Sequence, residues 1–265
     1  MGMQASTRRQ GCRSGKREVR LRQWIGALVT TAAVLGGAHA AAQPAAGEWE
    51  FAIVPYLVAA GMNGTMTVKG LEADVDIPFE TILDNLDMAA MVHFEMRNDR
   101  WMLSSDLVYM DLEGSNDVAG GTATASMTET LFEVTGGYRL SPAVTLLAGG
   151  RLVDLGAGLR YAGPNLDRAA EASRSWVDPL VGLHVVAPLS ERWWLGAHGD
   201  VGGFGVGSDL AWQAYANVGF RASDLVAVVA GYRAIDIDYQ EGSGNDLFRY
   251  DVLTAGPQVG VVFTF

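Results

Sequence analysis

Residues 209–222 read Asp-Leu-Ala-Trp-Gln-Ala-Tyr-Ala-Asn-Val-Gly-Phe-Arg-Ala. Taken alternately, Leu210, Trp212, Ala214, Ala216, Val218 and Phe220 fall on one face, and Gln213, Tyr215, Asn217, Gly219 and Arg221 on the other. Successive side chains of a strand point to opposite faces, so this is a strand with one apolar and one polar side. A soluble sandwich alternates too, with its apolar face turned inward. Here many strands alternate, and their polar faces are rich in glycine and in charges of both signs. A lipid-facing exterior around a polar interior accounts for both features.

The same alternation runs from Trp49 to Phe265, broken tightly at Asn98-Asp99, Ser141-Pro142, Ser190-Glu191 and Ser223-Asp224. Longer polar or glycine-rich stretches separate the breaks, at 61–87, 113–124, 162–174, 204–209 and 240–247. Short turns alternating with long loops mark an up-and-down barrel with its short turns on the periplasmic side. The fold read from this pattern is all-β: a single antiparallel up-and-down transmembrane β-barrel of about 10 strands. The strands are expected near 48–60, 88–97, 100–113, 125–140, 143–161, 174–188, 192–204, 209–222, 225–239 and 248–265. The stretch 61–87 has room for a further hairpin, which leaves eight or twelve strands open. Within it, Pro78 to Leu86 suits a short amphipathic helix with Phe79, Ile82, Leu83 and Leu86 on one side, either a plug or lid at the mouth or an ordered surface loop.

Aromatics gather beside the short turns: Trp101, Trp193-Trp194, Tyr138 and Phe220. Rings at that level form the girdle of a membrane barrel. Residues 137–155 also align without gaps on 219–237, sharing the glycine and arginine before the turn, the turn serine, an Ala-Gly pair, a later arginine and an aspartate. Duplication of a strand-turn-strand unit fits that repeat.

Val259-Gly260-Val261-Val262-Phe263-Thr264-Phe265 alternates and ends on a terminal aromatic. It resembles the last strand of bacterial outer-membrane barrels, whose final phenylalanine is read by the barrel assembly machinery. The segment Trp176 to Phe265 is similar to uncharacterised outer-membrane barrel proteins of Proteobacteria, a resemblance that implies a fold and no activity. It implies as partners the assembly machinery, periplasmic chaperones, outer-membrane lipids and lipopolysaccharide.

The first 42 residues read as a secretory signal peptide. Seven basic residues from Arg8 to Arg22 face one acid, Glu18; an apolar run from Trp24 to Leu35 follows, and Ala38-His39-Ala40 suits cleavage. The expected location is therefore the outer membrane of a Gram-negative cell, with the barrel over 43–265. Removing the segment takes 7 of 19 basic and 1 of 30 acidic residues, leaving 12 and 29, a net charge of −17. So acidic a chain is a poor partner for nucleic acid. Cys12, the single cysteine, lies in the removed part, so the mature chain has no disulfide, thiol nucleophile or cysteine metal site. No cofactor is expected.

The polar faces nominate the lumen. Glu95, Glu133, Arg139, Arg151, Asp178, His198, Asp200, Arg221 and Arg233 are its charged candidates, with Glu50, His93, Arg97, Asp106, His184 and Asp251 beside them. Both signs are present, which suits an interior ion-pair network filling a narrow bore. The alternative is a charged constriction that selects solutes. His93 with Glu95 and His198 with Asp200 share faces at i, i+2, a spacing that could activate water, but His198 and Asp200 fall mid-strand rather than at the rim. Gly202 to Gly207 lacks the lysine and helix of a phosphate loop and reads as a tight loop. The function expected is non-enzymatic, a structural barrel or narrow solute pore. The alternatives are a barrel enzyme acting on lipid or peptide at the outer rim, and an adhesin or receptor acting through the outer loops.

Overall fold

The computed structural model describes residues 48–265 apart from 69, 119, 164 and 165; the segment read as a signal peptide lies outside them. The strands are, in chain order, β1 (Glu50–Val58), β2 (Gly61–Val68), β3 (Leu71–Ile77), β4 (Leu86–Arg97), β5 (Trp101–Val118), β6 (Gly121–Arg139), β7 (Val144–Gly163), β8 (Leu166–Pro188), β9 (Trp193–Gly202), β10 (Leu210–Arg221), β11 (Val226–Glu241) and β12 (Phe248–Thr264). Helix α1 (Phe79–Asp84) joins β3 to β4, and one 3-10 turn (Gly244–Asp246) joins β11 to β12.

Ten of the strands form a closed antiparallel barrel: β1 and then β4 to β12 each pair with the next, and β12 returns to β1. The other two, β2 and β3, are the hairpin that 61–87 had room for, and they stand outside the ring. The chain breaks at Ala59-Ala60, where Ala59 donates to the Pro257 carbonyl. Gly256 permits this approach, since a Cβ there would stand 2.2 Å from the Ala59 oxygen. Beyond the break β2 continues along the upper half of β12, Gly61–Val68 opposite Ala255–Phe248, and β3 folds back on β2.

Two stretches expected as loops are instead strand. β5 and β6 stay paired up to Val118–Gly121, and β7 and β8 up to Gly163–Leu166. These extensions carry serine, threonine, alanine and charge on both faces, so no apolar alternation marks them in the sequence. Backbone pairing needs no such marking where both faces meet water.

The tight turns share one chemistry. Asn98 Oδ1 accepts from the N–H groups of Arg100 and Trp101 at 2.9 and 2.8 Å. Ser141, Ser190 and Ser223 repeat the device, their hydroxyls accepting from Val144, Trp193 and Val226 at 3.1, 3.2 and 3.1 Å. Such side chains hydrogen-bond the backbone two or three residues on and so fix a turn locally.

Ile53, Phe132, Leu146, Val181, Leu195, Val228 and Val259 are exposed on the outer face and make an apolar belt around the ring. At its short-turn rim Trp101 packs edge-on against Tyr138 at 5.1 Å, and Trp193 lies 4.8 Å from Phe220. Trp194, expected in this girdle, lies on the inner face instead. It shares the face of His198 and Asp200 and covers Gly219, where a Cβ would stand 2.1 Å from its ring.

The expectation of a polar interior holds for only half the bore. Toward the short turns the lumen carries buried charge. Toward the long strands it is apolar: Met62, Ile82, Met110, Leu112, Leu131, Val153, Leu155, Ile235, Ile237, Tyr250 and Val252 form one buried cluster with Trp176, whose ring stacks on Tyr239 at 3.7 Å. Ile82 is the buried residue of α1, while Leu83, expected beside it, is exposed. One turn of helix thus enters the cluster from the side through a single side chain.

Candidate functional site

Five carboxylates and three arginines meet across the charged half of the lumen. Arg151 of β7 is fully buried and joins two of them: its Nη2 donates to Glu133 Oε2 of β6 at 2.6 Å and to Asp200 Oδ1 of β9 at 2.7 Å. Asp200 also meets His198 Nε2 at 2.8 Å and accepts from Gln213 Nε2 at 3.2 Å. Gln213 Oε1 accepts from Arg233 Nε at 3.0 Å, and Arg233 Nη2 donates to Asp106 Oδ1 at 3.1 Å. Tyr56 of β1 lies against the Arg233 guanidinium and donates to the same Asp106 oxygen at 2.8 Å.

The chain of contacts continues on the other side of Asp106. His93 Nδ1 lies 3.2 Å from Asp106 Oδ2, and His93 Nε2 lies 3.9 Å from Glu95. Arg97 joins Glu95 at 3.2 Å to Glu50 at 2.5 Å, at the short-turn end. Charged groups taken from water are tolerated when paired and hydrogen-bonded, and this connected network meets that condition except at Arg151 Nη1, which is buried without a hydrogen-bond partner. His93 and His198 each lie against a carboxylate, at 3.2 and 2.8 Å.

The network fills the bore. His93, Met102, Ser104, Asp106, Glu133, His198, Gln213 and Tyr215 enclose a cavity of about 10 Å³, room for one water molecule. The His198 ring stacks on Tyr215 at 4.8 Å, and His184 of β8 stands beside it with ring centres 6.3 Å apart.

Among the described residues Glu133, His198 and Asp200 form a cluster with metal-ligating potential, their ligand atoms within 4.8 Å of one another. Arg151 occupies the place a cation would take, since one nitrogen bonds both carboxylates. The His198–Asp200 pair has the contact a general base requires, but the apolar cluster stands between it and the long-strand mouth.

The remaining candidates lie elsewhere. Asp178 points inward beside Arg151 in the strand register, yet its bonds go upward to the loop 203–209. It accepts from Ser208 N–H at 2.6 Å, from the Ser208 hydroxyl at 2.7 Å and from Trp176 Nε1 at 3.3 Å. Gly207 closes this latch, because a Cβ there would stand 2.5 Å from Asp178 Oδ1. Arg139 caps the turns at the barrel floor, donating to the carbonyls of Asn98 and Pro142 at 3.1 and 3.2 Å, and Arg221 is exposed beside the next turn. Asp251 lies on the outer face with Arg249, Asp236 and Asp238. There, beyond the apolar belt, burial and then the Asp251 carboxylate push Asp238 above the ordinary carboxylate range.

Tyr56, Gln213 and Tyr215 hold or frame the charges and escape a search for ionisable residues. Gln213 and Tyr215 are legible as the polar face of 209–222, whereas Tyr56 sits in an apolar run that hides it.

No family model matches the chain, and no curated protein matches it. Solved structures do resemble it in fold. The translocator domain of the autotransporter NalP from Neisseria meningitidis is 13% identical, covers 93% of this chain and 96% of its own length, and superposes with a TM-score of 0.42. The outer membrane protease OmpT from Escherichia coli is 12% identical over 84% of this chain and 99% of its own, with a TM-score of 0.46. Ail, the attachment invasion locus protein of Yersinia pestis, is 10% identical over 82% and 98%, with a TM-score of 0.36.

Proposed function

We propose that the chain is an exported outer-membrane β-barrel of a Gram-negative cell whose lumen is sealed, and that it serves as a structural, non-enzymatic element of that membrane. The carrying observation is the filled bore: the Arg151–Arg233 network with a cavity of about 10 Å³ below, and the apolar cluster above. A conducting pore needs a continuous polar path, which the cluster interrupts. Membrane insertion is supported by the apolar belt, its aromatic rim and the closure of the ring, since hydrocarbon tolerates no unpaired edge. The alternating strand β12 fits recognition by the assembly machinery after passage with periplasmic chaperones, and the exposed acids suit lipopolysaccharide bridged by divalent cations. Planar-bilayer conductance of the refolded protein tests the reading, because a sealed barrel gives no discrete steps.

One observation favours a second role at the surface. β5 to β8 rise beyond their neighbours, and above Leu180, β8 has no partner in β9. A projecting sheet with a free edge can pair with an extended segment of another protein, the mode of an adhesin or receptor.

A further inference from the structure

The wall of the barrel is not fully zipped. β1 and β4 pair from Glu50–Arg97 to Pro55–Val92, and the register stops there. β4 continues up to Leu86 with β5 as its partner, while Tyr56 to Val58 pair with β12. β3, the strand that follows in the sheet, pairs with β2 and is joined to β4 only through α1. A seam therefore separates the segment Leu86–Met91 from β1, at a level of the wall where hydrocarbon tolerates open edges poorly.

Apolar side chains line both sides of the seam, with the exposed Asp87 among them. Outside, Leu57, Met88 and Leu83 are exposed. Behind it lies the buried cluster, with Met62, Met110, Ile82 and Leu112 at less than a tenth of their free exposure. All eight methionines of the described chain fall in β2, β4, β5 and β6 and none in β7 to β12; Met62, Met66, Met88, Met91, Met110 and Met127 lie in the seam segment or against the apolar cluster, and Met96 and Met102 toward the short turns. Methionine is unbranched and polarizable and repacks around varied apolar guests. The element closing the seam is slight: the six-residue helix Phe79–Asp84, with Pro78 at its N-cap and no side-chain cap, and Ile82 as its buried residue. Helices of this length have little stability of their own.

We propose that this seam is a lateral portal, with α1 as its lid, through which an acyl chain of an outer-leaflet lipid enters the methionine-rich half of the lumen in place of Ile82. The inference rests on the outer-membrane reading above. A tail is the occupant because the seam opens onto hydrocarbon and the chamber behind it is lined by apolar side chains.

The test uses the refolded protein in vesicles containing a phospholipid with a diazirine midway along one chain. Light-induced adducts are located by peptide mass spectrometry. A staple controls the lid: Asn85 Cγ lies 3.3 Å from where a Gly114 Cβ would stand, so N85C/G114C can form a disulfide in a mature chain that has no other cysteine. The portal predicts adducts on Met62, Met110 or Leu131 in the reduced variant and their loss on oxidation, with adducts on outward Phe132 and Val181 unchanged. Ile82→Ala, a second variant, is expected to increase the interior adducts. Interior adducts absent throughout, or indifferent to both variants, would overturn the portal. Interior labelling by a diazirine fatty acid but not by the phospholipid would overturn the lipid as its occupant. Loss of label from Phe132 and Val181 would instead overturn the membrane reading itself.

Discussion

Arg151 and Arg233 stand at the same position of two copies of one strand-turn-strand unit, and each is the buried cation that ties carboxylate-bearing strands across the lumen. Arg151 joins Glu133 to Asp200, Arg233 reaches Asp106 through its own side chain, and Gln213 bridges the two halves. The repeat of 137–155 in 219–237 thus duplicates the inward arginine along with the turn. A barrel built from hairpins gains a filled interior this way, because each copy brings its own inward cation to the neighbouring acids.

Replacing Arg151 by methionine leaves Glu133 and Asp200 buried without their cation. The expected cost is about 3–5 kcal/mol, the range for breaking a buried pair from one side. Neutralising the acids as well, in R151M/E133Q/D200N, should recover part of it. Urea unfolding of the refolded barrel in detergent micelles measures both; equal stability of the single and triple variants would count against the pairing.

The Gly219–Trp194 contact gives a second test. A methyl group at Gly219 would press on the indole, so Gly219→Ala should destabilise by about 1–3 kcal/mol through overpacking. The same substitution in a Trp194→Ala background should cost less. A loss unchanged by removing the indole would mean that backbone, and not Trp194, sets the requirement for glycine.

Asp178→Ala should release the loop 203–209 while sparing the barrel. Three hydrogen-bond partners are lost, and the Ser208 N–H and Trp176 Nε1 lose an acceptor, at an expected cost of about 1–3 kcal/mol for each buried group left unsatisfied. Limited proteolysis should then cut at the exposed Phe204–Val206 tip faster than in wild type.

The outer acids set a pH dependence. The Asp238 pKa is raised in the folded chain by burial and then by Asp251, so folding disfavours its ionised form. That penalty is absent below the unfolded carboxylate pKa and complete above the folded one, so stability falls as pH rises between them. Asp238→Asn should therefore raise the unfolding midpoint at about pH 7 and leave it unchanged near about pH 3. Arg249 retains Asp251 at 2.9 Å in the variant.

Ring, strand direction and tight turns were legible in the sequence because each rests on local chemistry: alternation for the belt, asparagine or serine for the turns. The extensions of β5 to β8 were not, because strands wetted on both faces need no pattern. The apolar upper lumen escaped for a related reason. Leu131, Val153 and Ile235 take the inward parity of Glu133, Arg151 and Arg233, one step further along each strand, and an apolar residue on the polar face reads as an exception until its neighbours appear beside it. Asp251 was misplaced by the same reasoning in reverse, since beyond the belt an outward acid looks like an inward one.

Ionic conductance in a planar bilayer, on protein whose folding is checked by heat-dependent gel mobility, tests the central claim most directly. A lumen filled by the Arg151–Arg233 network and capped by the apolar cluster gives a folded barrel with no discrete current steps. Regular steps from the wild-type protein, with an ion selectivity that shifts when Arg151 or Arg233 is neutralised, would contradict the sealed barrel and establish a charged pore.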